Sequence, residues 1–113
     1  MTADLRVLMT MEAAWHPVPG GTGRVTVDLA SALSRRSDIE VQGFSAWHRR
    51  PAPPDFSPTI SVRKLKVPRP LLYEAWSRAP IPRLNVKGHD IVHSTTIVPP
   101  PASNVPLVVS VHD

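Results

Sequence analysis

Three glycines within four residues, at 20, 21 and 23, followed by Arg24, form the segment of this chain best suited to chemistry. Before them, Leu5-Arg6-Val7-Leu8-Met9 is a short, mostly apolar run that reads as a buried parallel strand. After them, Val25, Leu29, Ala32 and Leu33 recur at helical spacing, with Asp28, Ser31 and Arg35 directed elsewhere. A strand feeding a glycine-rich turn that opens a helix leaves backbone N–H groups free at the positive end of the helix dipole. Such a place seats phosphate or another anion. Glycine suits it because a side chain would hold the ligand off the backbone, and because such turns often need positive φ. The helix is expected to start at Thr22 or Gly23, and to end near Arg35-Arg36, before Ser37-Asp38.

Other readings of the loop fail on its letters. A P-loop requires a Lys after its second glycine, and none is present. A dinucleotide fingerprint requires a third Gly or Ala where this chain has Thr26. It also needs an acid near the end of the second strand, where Gly43-Phe44-Ser45-Ala46 offers none. The remaining alternative is a tight strand-to-helix turn with no ligand. Elsewhere, His89-Asp90-x-x-His93 has metal-like spacing, but His89 follows Gly88 in a turn and no third ligand is identifiable. There is neither an Asp-x-Asp pair for metal-dependent sugar transfer nor a Gly-x-Ser-x-Gly elbow for hydrolysis.

These residues must be positioned by a small framework. The 113 residues suit one domain, and 42% apolar content is enough for a core without being generous. With no cysteine, disulfides and thiolate metal sites are excluded, which fits a reducing compartment. No signal peptide is expected, since the first apolar run is short and follows Asp4, and no segment approaches the ~18 apolar residues of a membrane span. The net charge of +4 suits anionic partners. No nucleic-acid motif accompanies it, so nucleic acid is not an expected partner.

Strands and helices alternate along the chain. Glu40-Val41-Gln42-Gly43-Phe44 reads as a second strand, and the proline-rich residues 47–58 as a surface loop. Ile60-Ser61-Val62-Arg63-Lys64-Leu65 alternates at period two and predicts an edge strand. Residues 69–78, with Leu71, Leu72, Ala75 and Trp76, predict a second helix that tolerates Pro70 in its first turn. Residues 90–94 and 106–111 then read as buried strands four and five. The pattern predicts an α/β fold, a Rossmann-like three-layer parallel sheet with strands one and four adjacent at the switch point. Ligands of such sheets bind outside the carboxyl ends of the strands. That edge collects the glycine loop, His93-Ser94-Thr95-Thr96 after strand four, and His112-Asp113 after strand five, with Trp15 and His16 as a flap over the ligand or as packing.

Four blocks, in order, resemble the amino-terminal domain of family 4 glycosyltransferases, enzymes of the two-domain GT-B fold. They are Pro19-Gly20-Gly21-Thr22-Gly23-Arg24, Val27-Asp28-Leu29-Ala30-Ser31-Ala32-Leu33, Asp90-Ile91-Val92-His93-Ser94, and Pro106-Leu107-Val108-Val109-Ser110-Val111-His112-Asp113. Each alone is weak, jointly they span nearly the whole chain, and residues 47–85 carry no signature. The resemblance implies the amino-terminal portion of a retaining transferase, of mannosyl or glucosyl type, moving a sugar from a nucleotide-sugar donor to a hydroxyl of a glycan or lipid-linked acceptor. No metal or other cofactor is implied.

By that resemblance Gly20 and Gly21 approach the donor diphosphate, and His112 contacts the donor sugar near the reacting centre as the catalytic residue. Thr22, Gly23, Arg24, His93, Ser94, Thr95 and Asp113 face the cleft or the acceptor. The family's second domain, with its Glu-x₇-Glu motif, has no counterpart here: Glu12, Glu40 and Glu74 are the only glutamates. The chain alone is therefore expected to transfer no sugar. The alternative is a non-catalytic α/β module binding a phosphorylated ligand or a protein partner. The basic residues Arg49, Arg50, Arg63, Lys64, Lys66 and Arg69, with Tyr73 and Trp76 beyond, could touch anionic lipid headgroups, though such a scatter is more often a solvated face. The expected location is cytoplasmic, at the inner face of the cell membrane if that contact is made.

Overall fold

Alternation along Leu5–Thr10, strand β1, sends Val7 and Met9 to one face of a sheet and Leu8 to the other, and all three are buried. The computed structural model describes residues 4–16, 20–96, 98–101 and 103–110. In order, β1 is followed by a 3-10 turn at Glu12–Trp15, helix α1 (Gly20–Ser34) and strand β2 (Ile39–Trp47). A second 3-10 turn (Pro54–Phe56), strand β3 (Val62–Pro68), helix α2 (Arg69–Arg78), strand β4 (Ile91–Ser94) and strand β5 (Leu107–Val109) complete it. The five strands form one parallel sheet in the order β3-β2-β1-β4-β5. This is the expected Rossmann-like α/β arrangement, with β1 beside β4 at the centre and β3 at an edge.

Two apolar layers follow from the strand alternation. Val7 and Met9 pack with Val27 and Ala30 of α1 and with Met11 and Ala14 of the turn after β1. On the opposite face Leu8, Phe44 and Val92 pack with Leu84 and with Trp76 of α2. The Trp76 ring meets Phe44 edge to face at 6.4 Å, and its indole N–H donates to the carbonyl of Pro82 at 2.9 Å. Gly43 allows a close approach: a Cβ there would stand 2.5 Å from Met11 Cγ and 3.2 Å from Val62 Cγ2, so these side chains would have to shift.

Several expectations are corrected. Helix α1 begins at Gly20, not at Thr22 or Gly23, so the glycines form its first turn instead of a preceding loop. Among the described glycines only Gly88 has positive φ, so positive φ does not explain Gly21. Strand β2 runs on to Trp47, because the chain between β1 and α1 gives it a partner to pack on as far as Ala46. Strand β3 is displaced toward residue 68, where Pro68 pairs with Trp47. The largest correction concerns β5, expected to be buried: Leu107, Val108 and Val109 are all exposed, since no described helix covers that end of the sheet. The connection into β5 contains Pro99, Pro100, Pro101 and Pro106, which disfavour a crossover helix.

Candidate functional site at the carboxyl edge of the sheet

The first turn of α1 follows the end of β1, and Gly21 lies open at this edge: a Cβ added there would meet nothing within 4 Å. The first N–H groups of any helix lack intrahelical acceptors. No described side chain crowds Gly21 there. Thr22 is half-buried and Gly23 is buried. Arg24 turns away from the turn's opening. Its guanidinium donates to the Asp55 carbonyl at 2.9 Å, lies 4.8 Å from the centre of the Phe56 ring, and stands 3.6 Å from Asp28. It clamps the second 3-10 turn to α1.

Thr95, just beyond β4, is brought directly to this helix. Its hydroxyl lies 2.7 Å from that of Thr26 on α1 and 3.4 Å from that of Thr10 at the end of β1. The Thr95 N–H donates to Thr10 Oγ1 at 2.9 Å. All three residues are buried, so this hydroxyl cluster fastens the first turns of α1 to the β1–β4 junction. Ser94 is buried too, 3.2 Å from the Thr96 hydroxyl. The Nε2 of His93 lies 2.7 Å from Ser110 Oγ and ties β4 to the residue after β5. His112 and Asp113 lie outside the described residues.

The charged centre of this edge is Glu12, which no motif or spacing in the sequence marks. Its carboxylate is buried, with the side chain only 5% exposed. Oε1 accepts the Ala46 N–H at 2.9 Å and stands 2.7 Å from His48 Nε2, just past the end of β2. Arg69, at the start of α2, places Nε 3.1 Å from Oε2 as a counter-charge, off the axis of a hydrogen bond. The same arginine donates through Nη2 to the Trp15 carbonyl at 3.2 Å. Trp15 stacks on the His48 ring at 4.8 Å and donates its indole N–H to the Arg50 carbonyl at 3.0 Å.

His16 and Tyr73 extend the cluster, His16 Nε2 lying 3.5 Å from the Tyr73 hydroxyl. Burial, then the Arg69 charge, holds the His16 imidazole below its ordinary value and so favours its neutral form. Burial and the Glu12 charge push the Tyr73 phenol up, so it stays protonated. Trp15 and His16 thus pack into a fixed network instead of standing free as a flap. The one signal in the sequence is a lone carboxylate at a strand end among small and apolar residues, Met11-Glu12-Ala13-Ala14.

Chemically, the edge offers a helix start with an uncrowded Gly21 beside a buried hydroxyl cluster, and next to it a carboxylate–imidazole–guanidinium hub. Among the described residues no three His, Asp or Glu side chains gather closely enough to hold a metal ion. A cavity of about 240 Å³ lined by Arg83, Leu84, Val86, Pro101, Ser103 and Asn104 lies by the segments that lead into β4 and β5, away from this edge. No described helix is long and apolar enough to cross a membrane. No family model matches this sequence, and no curated protein and no solved structure matches it either.

Proposed function

We propose that this chain is the acceptor-side, Rossmann-like portion of a retaining glycosyltransferase that uses a nucleotide-sugar donor. The observation that carries the reading is the open Gly21 face of α1, held at the β1–β4 junction by Thr26, Thr95 and Thr10. It is supported by the four sequence blocks that resemble family 4 enzymes, because the first of them supplies this turn. Transfer of a glycosyl unit leaves negative charge on the departing diphosphate. N–H donors at a helix start stabilise such charge without reorganising. Gly20 and Gly21 would take the diphosphate and half-buried Thr22 would border the acceptor, while the buried Gly23, Ser94 and Thr95 would support that border from beneath. His112 inherits the sugar contact by resemblance alone. Arg24 is committed to Asp55, Phe56 and Asp28, so on this reading it shapes the border of the cleft.

The test is amide chemical-shift mapping on the 113-residue chain, titrated with nucleoside diphosphates, nucleotide-sugars and simple glycosides. Half of a two-domain cleft should bind weakly, with a dissociation constant of roughly millimolar order. The expected shifts fall on residues 20–24 and on Thr95. Gly21→Val should remove them while leaving the unfolding midpoint nearly unchanged, since the side chain would enter open space. Shifts with phosphate monoesters and none that depend on the sugar would favour the non-catalytic anion-binding module. No shift in the first turn of α1 with any ligand would overturn the proposal.

A further inference from the structure

The chain that leads into β4 and the chain that leads into β5 are both irregular, and both pack on the same apolar layer. Leu84 is buried there with Leu8, Phe44 and Val92, and Val86 and Val105 are partly buried against them. Together the two segments enclose the cavity of about 240 Å³ lined by Arg83, Leu84, Val86, Pro101, Ser103 and Asn104. A crossover helix would fill such a space, and the prolines at 99, 100, 101 and 106 disfavour one. One wall is tied down from behind. The Asn85 carbonyl accepts from Arg63 Nη2 of β3 at 2.7 Å, the Asn85 side chain accepts the Lys87 N–H at 3.1 Å, and Trp76 donates to the Pro82 carbonyl. That wall needs no ordering when a ligand enters, which removes one cost of binding.

The lining divides by chemistry. Leu84, Val86 and Pro101 are apolar, and Arg83 is the one charged group among the described lining residues. Its guanidinium makes no ion pair among the described residues. The two acids between β3 and β5 are committed elsewhere, Glu74 to Arg78 and Asp90 to Arg6. Ser103 Oγ accepts the Val105 N–H at 3.4 Å and keeps its own O–H to donate, and the Asn104 amide adds a further donor. An apolar lining with a few convergent polar groups is the usual composition of a small-molecule site.

We propose that this cavity binds a small monoanionic carboxylate whose apolar body is about the size of one ring. The carboxylate meets Arg83, Ser103 and Asn104, and the body lies against Leu84, Val86 and Pro101. Size supports this: an apolar cavity of about 150 Å³ already admits benzene, so the larger space here holds a ring together with its carboxylate. Charge sets the class. One guanidinium balances one negative charge and its planar fork matches two carboxylate oxygens, whereas a second charge would sit beside apolar groups without a counter-ion. The cavity lies away from the first turn of α1, so the proposal does not depend on sugar transfer and stands or falls separately.

Amide chemical-shift titration of the 113-residue chain with benzoate, benzyl alcohol and phenyl phosphate tests it. Benzoate should shift Leu84, Val86, Ser103 and Asn104, with a dissociation constant of roughly millimolar order, and leave residues 20–24 unmoved. Benzyl alcohol has a similar shape without the charge and should bind about tenfold more weakly. Phenyl phosphate, with its second charge, should also bind more weakly than benzoate. Arg83→Gln alters an exposed side chain, so the fold should persist, as circular dichroism would verify. It should weaken benzoate by about tenfold and leave benzyl alcohol unchanged. Asn104→Ala should weaken benzoate by a few-fold. Equal affinity for benzoate and benzyl alcohol would overturn the proposal, as would unaltered benzoate binding by folded Arg83→Gln. Tighter binding of phenyl phosphate would overturn the carboxylate assignment, and shifts absent from the lining residues would overturn the site itself.

Discussion

The two halves of this sheet share one parallel ladder and differ in everything that surrounds it. On the β1–β2–β3 side, β1 pairs with β2 along its whole length, from Leu5 to Thr10, and apolar layers cover both faces. The strand ends there are joined by Glu12, which reaches β2 through Ala46, the segment after it through His48, and α2 through Arg69. On the β4–β5 side only short strands pair, and all of β5 is exposed. Parallel strands become buried on both faces when crossover helices return over the sheet. Helix α1 does so between β1 and β2 and α2 between β3 and β4, but the proline-rich run before β5 does not. Parallel pairing is thus a property of the ladder, whereas burial depends on the connections.

The hub offers the strongest test of this contrast. Glu12→Ala would leave the Ala46 N–H without its acceptor and the largely buried Arg69 without its counter-charge. A loss of about 3 kcal/mol or more in urea unfolding is expected, because the remaining partner of a broken buried pair stays desolvated. A loss below about 1 kcal/mol, the range of exposed pairs, would mean that the hub does not distinguish the two halves.

A smaller effect is expected where the halves meet. Thr26→Val keeps the shape of the side chain and removes the hydroxyl that lies 2.7 Å from Thr95. Since Thr95 keeps its contacts with Thr10, the cost should be about 1–2 kcal/mol in the same unfolding measurement. Hydrogen exchange should also quicken in the first turns of α1 while the β2 amides stay protected. Uniform loss of protection would show that the cluster supports the whole sheet and not the junction.

The smallest effect belongs to the bare strand. Val108→Thr at a 43% exposed position should change stability by no more than about 0.5 kcal/mol. A loss approaching that of Thr26→Val would show that β5 is buried in solution, by self-association for example. Its uncovered edge invites that, and sedimentation at several concentrations would detect it.

Much of the framework is legible in local residue pattern. The bounds of α2, the apolar run of β1 and the helical spacing of Val25, Leu29, Ala32 and Leu33 all report periodicity over short stretches. The adjacency of β1 and β4 follows from the regularity of doubly wound sheets. The Glu12 hub is not legible, because its parts lie at positions 12, 16, 48, 69 and 73 with no spacing that repeats. Thr26 and Thr95 are likewise ordinary polar residues on a helix and after a strand until the sheet brings them to 2.7 Å.

By itself, then, the sequence determined which stretches become strands and helices, and that a glycine-rich segment leads into the first long helix, though not that the glycines form that helix's own first turn. Hydrophobic period and the lack of side chains act within a few residues of one another. Only the tertiary structure decided that Glu12 would be buried among His48, Arg69 and the Ala46 N–H, that Arg24 would clamp a loop, and that Trp47 and β5 would stay exposed. Burial and electrostatic pairing depend on which elements cover one another. That covering is set by the course of the connections over the sheet, which local residue pattern does not encode.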